Sequence, residues 1–472
     1  MPAFIERFGS VGPDGVPYLT ATQTSVITAT RTSASIPAIF VCAYLGTKWG
    51  RKRTNWVGCL TCLIGTALQT GATNIPMITV GLTVANFGYF IMVSMSSTLA
   101  IEIAPVPIRG IVGSMSVVGT GVAAVMSSGI GWGTSHYNSD MAFRIPLGIQ
   151  NVWPAVMAIL MLFVMDSPTT YLINGNDEGA EKSLRLVRNG YTNEEIMQEL
   201  EELKVQSQLR KADNDVKWVE IFRGPNLRRT MLASFLGIIQ QFSGSIYATS
   251  YATTFLAAIG SADPFLLVFA LNILILGGSV TGLFLVDNIG RRLLMLVSFG
   301  SLLIIDICMG GLGFADSTNL RVIKAMSALS LIFGFFYAST MGPLTWLNAA
   351  ELPTARLRTI TNASVLLSNS LTNLLVTYIV PFIANADAGD LGPKTYLIFA
   401  GFMFAGFIIA YIWFPDSTRR SAAELDHMFE AGLSARKFGS WRSDTLTHSD
   451  VEEGGMGSGY GYTYMSHTHI HT

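Results

Sequence analysis

Eleven mostly apolar stretches, each at least 18 residues long, recur along this chain, at about 21–45, 54–73, 75–98, 110–134, 145–165, 230–257, 264–286, 293–315, 322–348, 359–385 and 394–414. A helix of that length crosses a hydrocarbon core of roughly 30 Å. Lipid offers the backbone no hydrogen-bond partners, so such a stretch must bond internally as a helix. Only 13% of the 472 residues are charged, where a water-soluble chain carries about a quarter. The pattern specifies an all-α polytopic membrane protein. It holds no phosphate-cradling glycine loop, nucleophile motif or metal-spaced cluster, and its membrane loops are too short for a catalytic domain, so no enzyme is expected.

Net charge is −1, and the distribution says more than the sum. Most Lys and Arg lie in loops at 46–53, 166–229, 287–292 and 353–358 and in the tail after 415. These alternate with short, basic-poor loops near 73–76, 135–144, 258–263, 315–321 and 385–394. The positive-inside rule places the first set in the cytoplasm. Eleven crossings then put the N-terminus outside and the C-terminus inside, with no secretory leader expected. Cys42, Cys59, Cys62 and Cys308 fall in predicted spans and imply no disulfide framework.

The organisation expected is a membrane bundle over 1–165, a cytoplasmic linker over 166–229, a second bundle over 230–414 and a tail over 415–472. The linker reads as amphipathic helices, Asp177–Arg188 and one opened by Thr192 with Glu195 as a capping box. Its Ile196, Leu200 and Leu203 either dock on the membrane part or belong to a solvated tether. Beyond about 430 the chain turns to Gly, Ser, Tyr and His and is expected to be disordered. His467, His469 and His471 could bind a metal there, but in such a tail no specific site is expected.

Two basic turns about 240 residues apart, Gly46–Arg53 and Asp287–Arg292, look like copies of one element. Further motifs follow in order: Glu102-Ile-Ala-Pro105 with Arg109-Gly110, Arg144-Ile-Pro146 with Gln150, Asp166-Ser-Pro168, Gln240-Gln-Phe-Ser-Gly244, Gly342-Pro343 with Trp346, Glu351-Leu-Pro353 with Arg358, and Phe414-Pro-Asp-Ser-Thr418 with Glu424-Leu-Asp426. In this set, from about residue 4 to 430, the chain resembles the sugar porter family of the major facilitator superfamily, especially its fungal members.

The resemblance implies a two-bundle fold with a substrate site between the halves. It implies a cytoplasmic gate of Arg53, Glu102, Arg109, Arg292, Glu351 and Arg358, with Asp287 anchoring its own turn. Read without the family, the same basic residues simply hold loops inside. The resemblance also implies substrate contacts at Gln240, Gln241, Trp346 and Asn369. Buried amides are costly without partners, and between helices they serve equally as packing contacts.

Departures from the family pattern sharpen the expectation. Ile246, Ile275, Val117 and Ser370 stand where polar or stacking residues are usual (Asn272 lies a turn from Ile275), so the pocket is expected to be more apolar than a hexose site. Thr47 replaces the usual Asp of the first turn. Phe4-Ile-Glu-Arg-Phe8-Gly9 resembles the end of the family's first helix, so a bundle lacking that helix is expected, with five helices before the linker and six after. Gly81-Leu82 occupies the position of the Arg that proton-coupled members use, which implies uniport over proton symport. Arg31 and Asp306 are the ionisable residues left inside spans, each a site candidate or a residue satisfied by its neighbours. The reading is a multi-pass transporter of a sugar- or polyol-like molecule, expected in the plasma membrane rather than the vacuole. It is expected to be monomeric, with no cofactor, metal or nucleic-acid partner; a non-transporting sensor or degenerate transporter is the rival.

Overall fold

The computed structural model describes residues 2–438 apart from 12–14, 16, 106–107, 138, 189, 213–217, 249–262, 317–318, 355–356, 386, 419 and 421. The His467–His471 segment lies outside the described residues.

Before the linker run α1 (Pro2–Phe8), α2 (Ala21–Ser33), α3 (Ser35–Lys48), α4 (Arg51–Thr70), α5 (Ile75–Ile103), α6 (Arg109–Ser135), α7 (Met141–Ile149) and α8 (Val152–Phe163). A two-residue hairpin, with Ser10 opposite Tyr18, joins α1 to α2. Thr20 opens α2 with a reciprocal capping box, accepting from the Gln23 amide while its own N–H donates to Gln23 Oε1 at 3.1 Å. The α4–α5 pair packs backbone to backbone through small residues: a methyl added at Gly65 would meet the Ala85 amide nitrogen at 2.2 Å. The path from α7 to α8 breaks at Gln150 and Asn151, between Pro146 and Pro154. Side chains from α4 meet that break, with Gln69 donating to Gln150 at 2.7 Å and Thr66 to Asn151 at 2.5 Å.

The linker holds α9 (Pro168–Ile173), α10 (Asp177–Val187) and α11 (Asn193–Ala212). Thr192 and Glu195 form the expected capping box, and the bonds that the Thr192 amide and hydroxyl donate to Glu195 Oε2 hold its carboxyl below its ordinary value. Ile196, Leu200 and Leu203 pack on Leu172, Ala180 and Leu184 of the linker's own helices. Arg188 fastens the unit to the membrane part: it is bidentate to Glu199, at 2.9 and 2.7 Å, and donates to the Ile103 carbonyl at the end of α5.

After the linker come α12 (Gly224–Gln241), α13 (Pro264–Ile289), α14 (Arg291–Leu312), α15 (Leu320–Phe336), a π-helical turn at Tyr337–Met341, α16 (Gly342–Glu351), α17 (Arg358–Ala384), α18 (Tyr396–Trp413) and α19 (Ala422–Glu430). One continuous core runs from Leu232 to Phe438. The tail is packed through Phe438, eight residues past the point where order was expected to end. Phe438 is fully buried, 5.2 Å from the Phe429 ring, and the Arg228 guanidinium lies over both rings. Arg229 pairs with Asp426 of α19.

Among the described residues nine helical stretches are long and apolar enough to cross a membrane, against eleven expected. The other two exist as helices but carry more polar residues. α4 opens on Arg51, Lys52 and Arg53 and contains Asn55 and Gln69; α12 contains Arg228, Arg229, Gln240 and Gln241. Two expected spans are also discontinuous. The stretch 230–257 stops at Gln241, turns at Phe242–Gly244 (Gly244 φ 79°) and resumes helix at Ser245. The stretch 322–348 passes through the π turn, a feature that recurs at functional sites.

Candidate substrate site and gates

The two basic turns have the same internal wiring. In each, a glycine with positive φ, Gly50 at 89° and Gly290 at 95°, precedes an arginine that starts the next helix. Arg51 donates back to the Gly46 carbonyl at 2.8 Å and pairs with Glu102 at 2.9 Å. Arg291 donates back to the Val286 carbonyl at 3.4 Å and pairs with Glu351 at 3.0 Å. Both helix starts are capped from the end of their half: Asp166 accepts from the Arg51 and Lys52 amides, and Thr418 Oγ1 accepts from the Arg291 amide. Carboxylate and hydroxyl oxygens here satisfy the free N–H groups of a helix N-terminus. Gly50 is required as well as permitted, because a methyl there would lie 2.2 Å from Asp166 Oδ2.

The pairing arginine in each turn is therefore the residue directly after glycine, not Arg53 or Arg292. Arg53 is exposed beside Trp49 and Trp56. Arg292 donates to the Tyr411 carbonyl at 2.8 Å. A run of adjacent basic residues does not say which one faces inward, since each step turns the helix by about 100°. The signal that singles out Arg51 and Arg291 is the glycine before them in both copies. The side chains of Arg109, Asp287 and Arg358 lie outside the described residues.

The amides expected to contact substrate come together. Gln240 and Gln241 are buried at the end of α12, just before its break, facing α17. Asn369 donates to Gln240 Oε1 at 3.2 Å and to the Gly237 carbonyl at 2.9 Å. One turn further along α17, Asn373 donates to Gln241 Oε1 at 2.7 Å. Asn373 went unnoticed in the sequence, although its i+4 spacing from Asn369 puts it on the same helix face. Tyr337, first residue of the π turn, hydrogen-bonds the side chains of Gln240 and Ser245, so the polar cluster reaches a second discontinuous helix. Phe242, in the break, stacks on Phe402 with centroids 4.3 Å apart.

Trp346 is not joined to this cluster by any described contact and is 45% exposed on α16. Asn272 returns its amide to the Val268 carbonyl of its own helix. Arg31 lies on the surface of α2, where its carbonyl accepts from Asn86. Asp306 is fully buried, and neither carboxyl oxygen has a hydrogen-bond partner among the described residues.

The family description "Sugar (and other) transporter" matches residues 1–429. The chain belongs to the sugar transporter family. Within the major facilitator superfamily, this sugar transporter is 26% identical to the Neurospora crassa protein named "Probable glucose transporter rco-3" over 97% of its own length and 80% of that protein. It is 24% identical to the Saccharomyces cerevisiae high glucose sensor RGT2, over 90% of this chain but 57% of the sensor. The inward open structure of the xylose transporter XylE from E. coli aligns with a TM-score of 0.71 at 17% identity, covering 90% of this chain and 93% of that one. At that identity the likeness concerns the fold, and it agrees with the all-α, two-bundle expectation.

Proposed function

We propose that this chain moves a sugar- or polyol-like molecule across a membrane by alternating access, with the substrate held at the broken end of α12. The observation that carries this reading is the pair of amide contacts between α12 and α17, Gln240–Asn369 and Gln241–Asn373, set beside the break at Phe242–Gly244. Discontinuous helices near mid-membrane are where transporters of inverted-repeat design place substrate. Each of these amides keeps donors or acceptors that a hydroxylated ligand would take. Ile246 and Ile275, which stand where the family pattern carries polar residues, favour a substrate with fewer hydroxyls than a hexose. Trp346 enters as a wall of the same pathway.

The twin pairs Arg51–Glu102 and Arg291–Glu351 are the fixed points of the gate at the basic, cytoplasmic end, with Arg53, Arg109, Asp287, Arg292 and Arg358 around them. Transport is uniport, because Gly81-Leu82 offers no cation at the position that resemblance assigns to proton coupling. Uptake of a labelled sugar and polyol panel by cells expressing the chain, with and without an uncoupler, tests this. Uptake of at least one compound that persists with uncoupler is expected; uptake abolished by uncoupler, with no inward substrate gradient, overturns uniport.

The relative named as a glucose sensor supports a second reading, in which the same site binds sugar without moving it. Binding without uptake would distinguish that protein from a transporter.

A further inference from the structure

The end of the bundle opposite the basic turns carries contacts of another kind, which join the two halves. Asp263 is the N-cap of α13: its Oδ1 accepts from the Phe265 amide at 3.0 Å, and its Oδ2 accepts from the Trp132 indole of α6 at 2.6 Å. His136 Nε2 lies 3.8 Å from the same oxygen, and the Trp132 ring stacks on Phe269 of α13 at 5.8 Å. At the other corner, Asp387, in the loop after α17, accepts at Oδ2 from the Ala21 amide at the start of α2, at 2.7 Å. Ser25, one turn into α2, donates to the Tyr378 carbonyl of α17 at 3.0 Å. The two corners match. Each sets an aspartate of the C-terminal half at a helix N-terminus, where a negative charge is favoured: Asp263 caps its own α13 and also takes the Trp132 indole, while Asp387 caps α2 of the opposite half.

We infer that Asp263 and Asp387 are a two-point latch that closes this end of the pathway, both carboxylates coming from the C-terminal half and both releasing their N-terminal-half donors when the end opens. The inference rests on the transport reading above, since halves that do not rock need no latch. The basic turns make poor candidates for the same role, because their ion pairs lie within one half each. The latch oxygens bridge the halves through charge-assisted bonds, which are stronger than neutral ones.

The test is cysteine labelling of purified protein carrying Ser25→Cys, with Cys308→Ser removing the exposed native thiol. Adding Asp263→Ala and Asp387→Ala is expected to raise the labelling rate by about a hundredfold, the effect of losing two carboxylate hydrogen bonds from one of two states. An unchanged rate in a double variant that elutes like its parent overturns the latch. As a second arm, Ala21→Cys with Asp387→Cys should, once oxidised, suppress labelling and uptake, with reductant restoring both. Uptake at the parent rate by the cross-linked protein also overturns it. If labelling responds as expected while the parent moves no sugar, the halves rock and this end is latched, and what fails is the reading that the motion carries a sugar or polyol.

Discussion

The two halves share their basic turns and differ in almost everything that packs behind them. After the linker, one core runs unbroken from α12 through α14 and α18 to the tail. Before it, burial is split between a cluster around Phe8, Ala72, Ile78 and Phe143 and another around Ala38, Cys42, Ile91 and Met95. Two corresponding pairs show the gap, although the α2–α3 stretch, 28% buried, exceeds α13 at 17%. In the apolar stretch of α6, 6% of residues are buried, against 22% in α17; the α7–α8 stretch reaches 17%, against 39% for the stretch ending in α18. In the C-terminal half α12 lies against α17, with Gly237 in contact with Val365. On α6, Gly119, Gly131 and Gly133 have nothing within 4 Å of a Cβ position. Helices in lipid gain little from hiding apolar surface and depend on close packing and hydrogen bonds. The half with the denser packing is also the half that carries the amide cluster, so the proposed substrate groups sit on the more closely packed frame.

That contrast can be broken experimentally, most forcefully at the paired arginines. Arg51→Met and Arg291→Met each strand a partly buried carboxylate, a loss of about 3–5 kcal/mol in a water-excluded pair. Glu102 is the more buried partner, and its second oxygen has no partner among the described residues, whereas Glu351 keeps a bond from Ser417 at 3.0 Å. Thermal unfolding of the purified variants should therefore show the larger drop for Arg51→Met. Equal drops would mean that the two turns are energetically as well as geometrically alike.

A smaller effect separates the helix faces. Gly237→Leu forces a side chain against Val365, at a cost of about 1–3 kcal/mol. Gly131→Leu meets open space and should leave the unfolding temperature unchanged. A destabilised Gly131→Leu would show that the open face of α6 is covered in the folded protein.

The smallest effect lies in the linker. Thr192→Ala removes the hydroxyl's two bonds with Glu195, including the smaller of the two that hold the Glu195 carboxyl below its ordinary value, and leaves the larger one, from the Thr192 amide. A carboxyl lowered on folding stabilises at neutral pH, and that contribution fades as pH falls through its folded value. Hydrogen exchange in the first turn of α11 should speed up in the variant at pH 7 and differ less from the parent in acid. The same acceleration at both pH values would assign the cap to Thr192 alone.

Much of this was legible in the residues. Helices are set by long apolar runs, the capping box at Thr192 was readable by spacing, and the amides Gln240, Gln241 and Asn369 stood out through the family resemblance. Three features were not. Helix phase within a run of basic residues hid Arg51 and Arg291 behind Arg53 and Arg292. The break after Gln241 was hidden because Phe242, Ser243 and Gly244 sit inside an apolar run, and hydropathy does not register the positive φ of Gly244. The order of the tail through Phe438 depends on Arg228, about 210 residues upstream, lying over Phe438 and its near neighbour Phe429, which local composition does not contain.

The central claim is that the α12–α17 amide cluster holds a transported sugar-like molecule. Its most direct test is uptake into proteoliposomes by the parent and by the Gln240→Ala/Gln241→Ala variant, with the labelled panel and with matched protein incorporation. The account predicts uptake of at least one sugar or polyol by the parent and its loss in the variant. Parent and variant taking up the same compound at the same rate would contradict it.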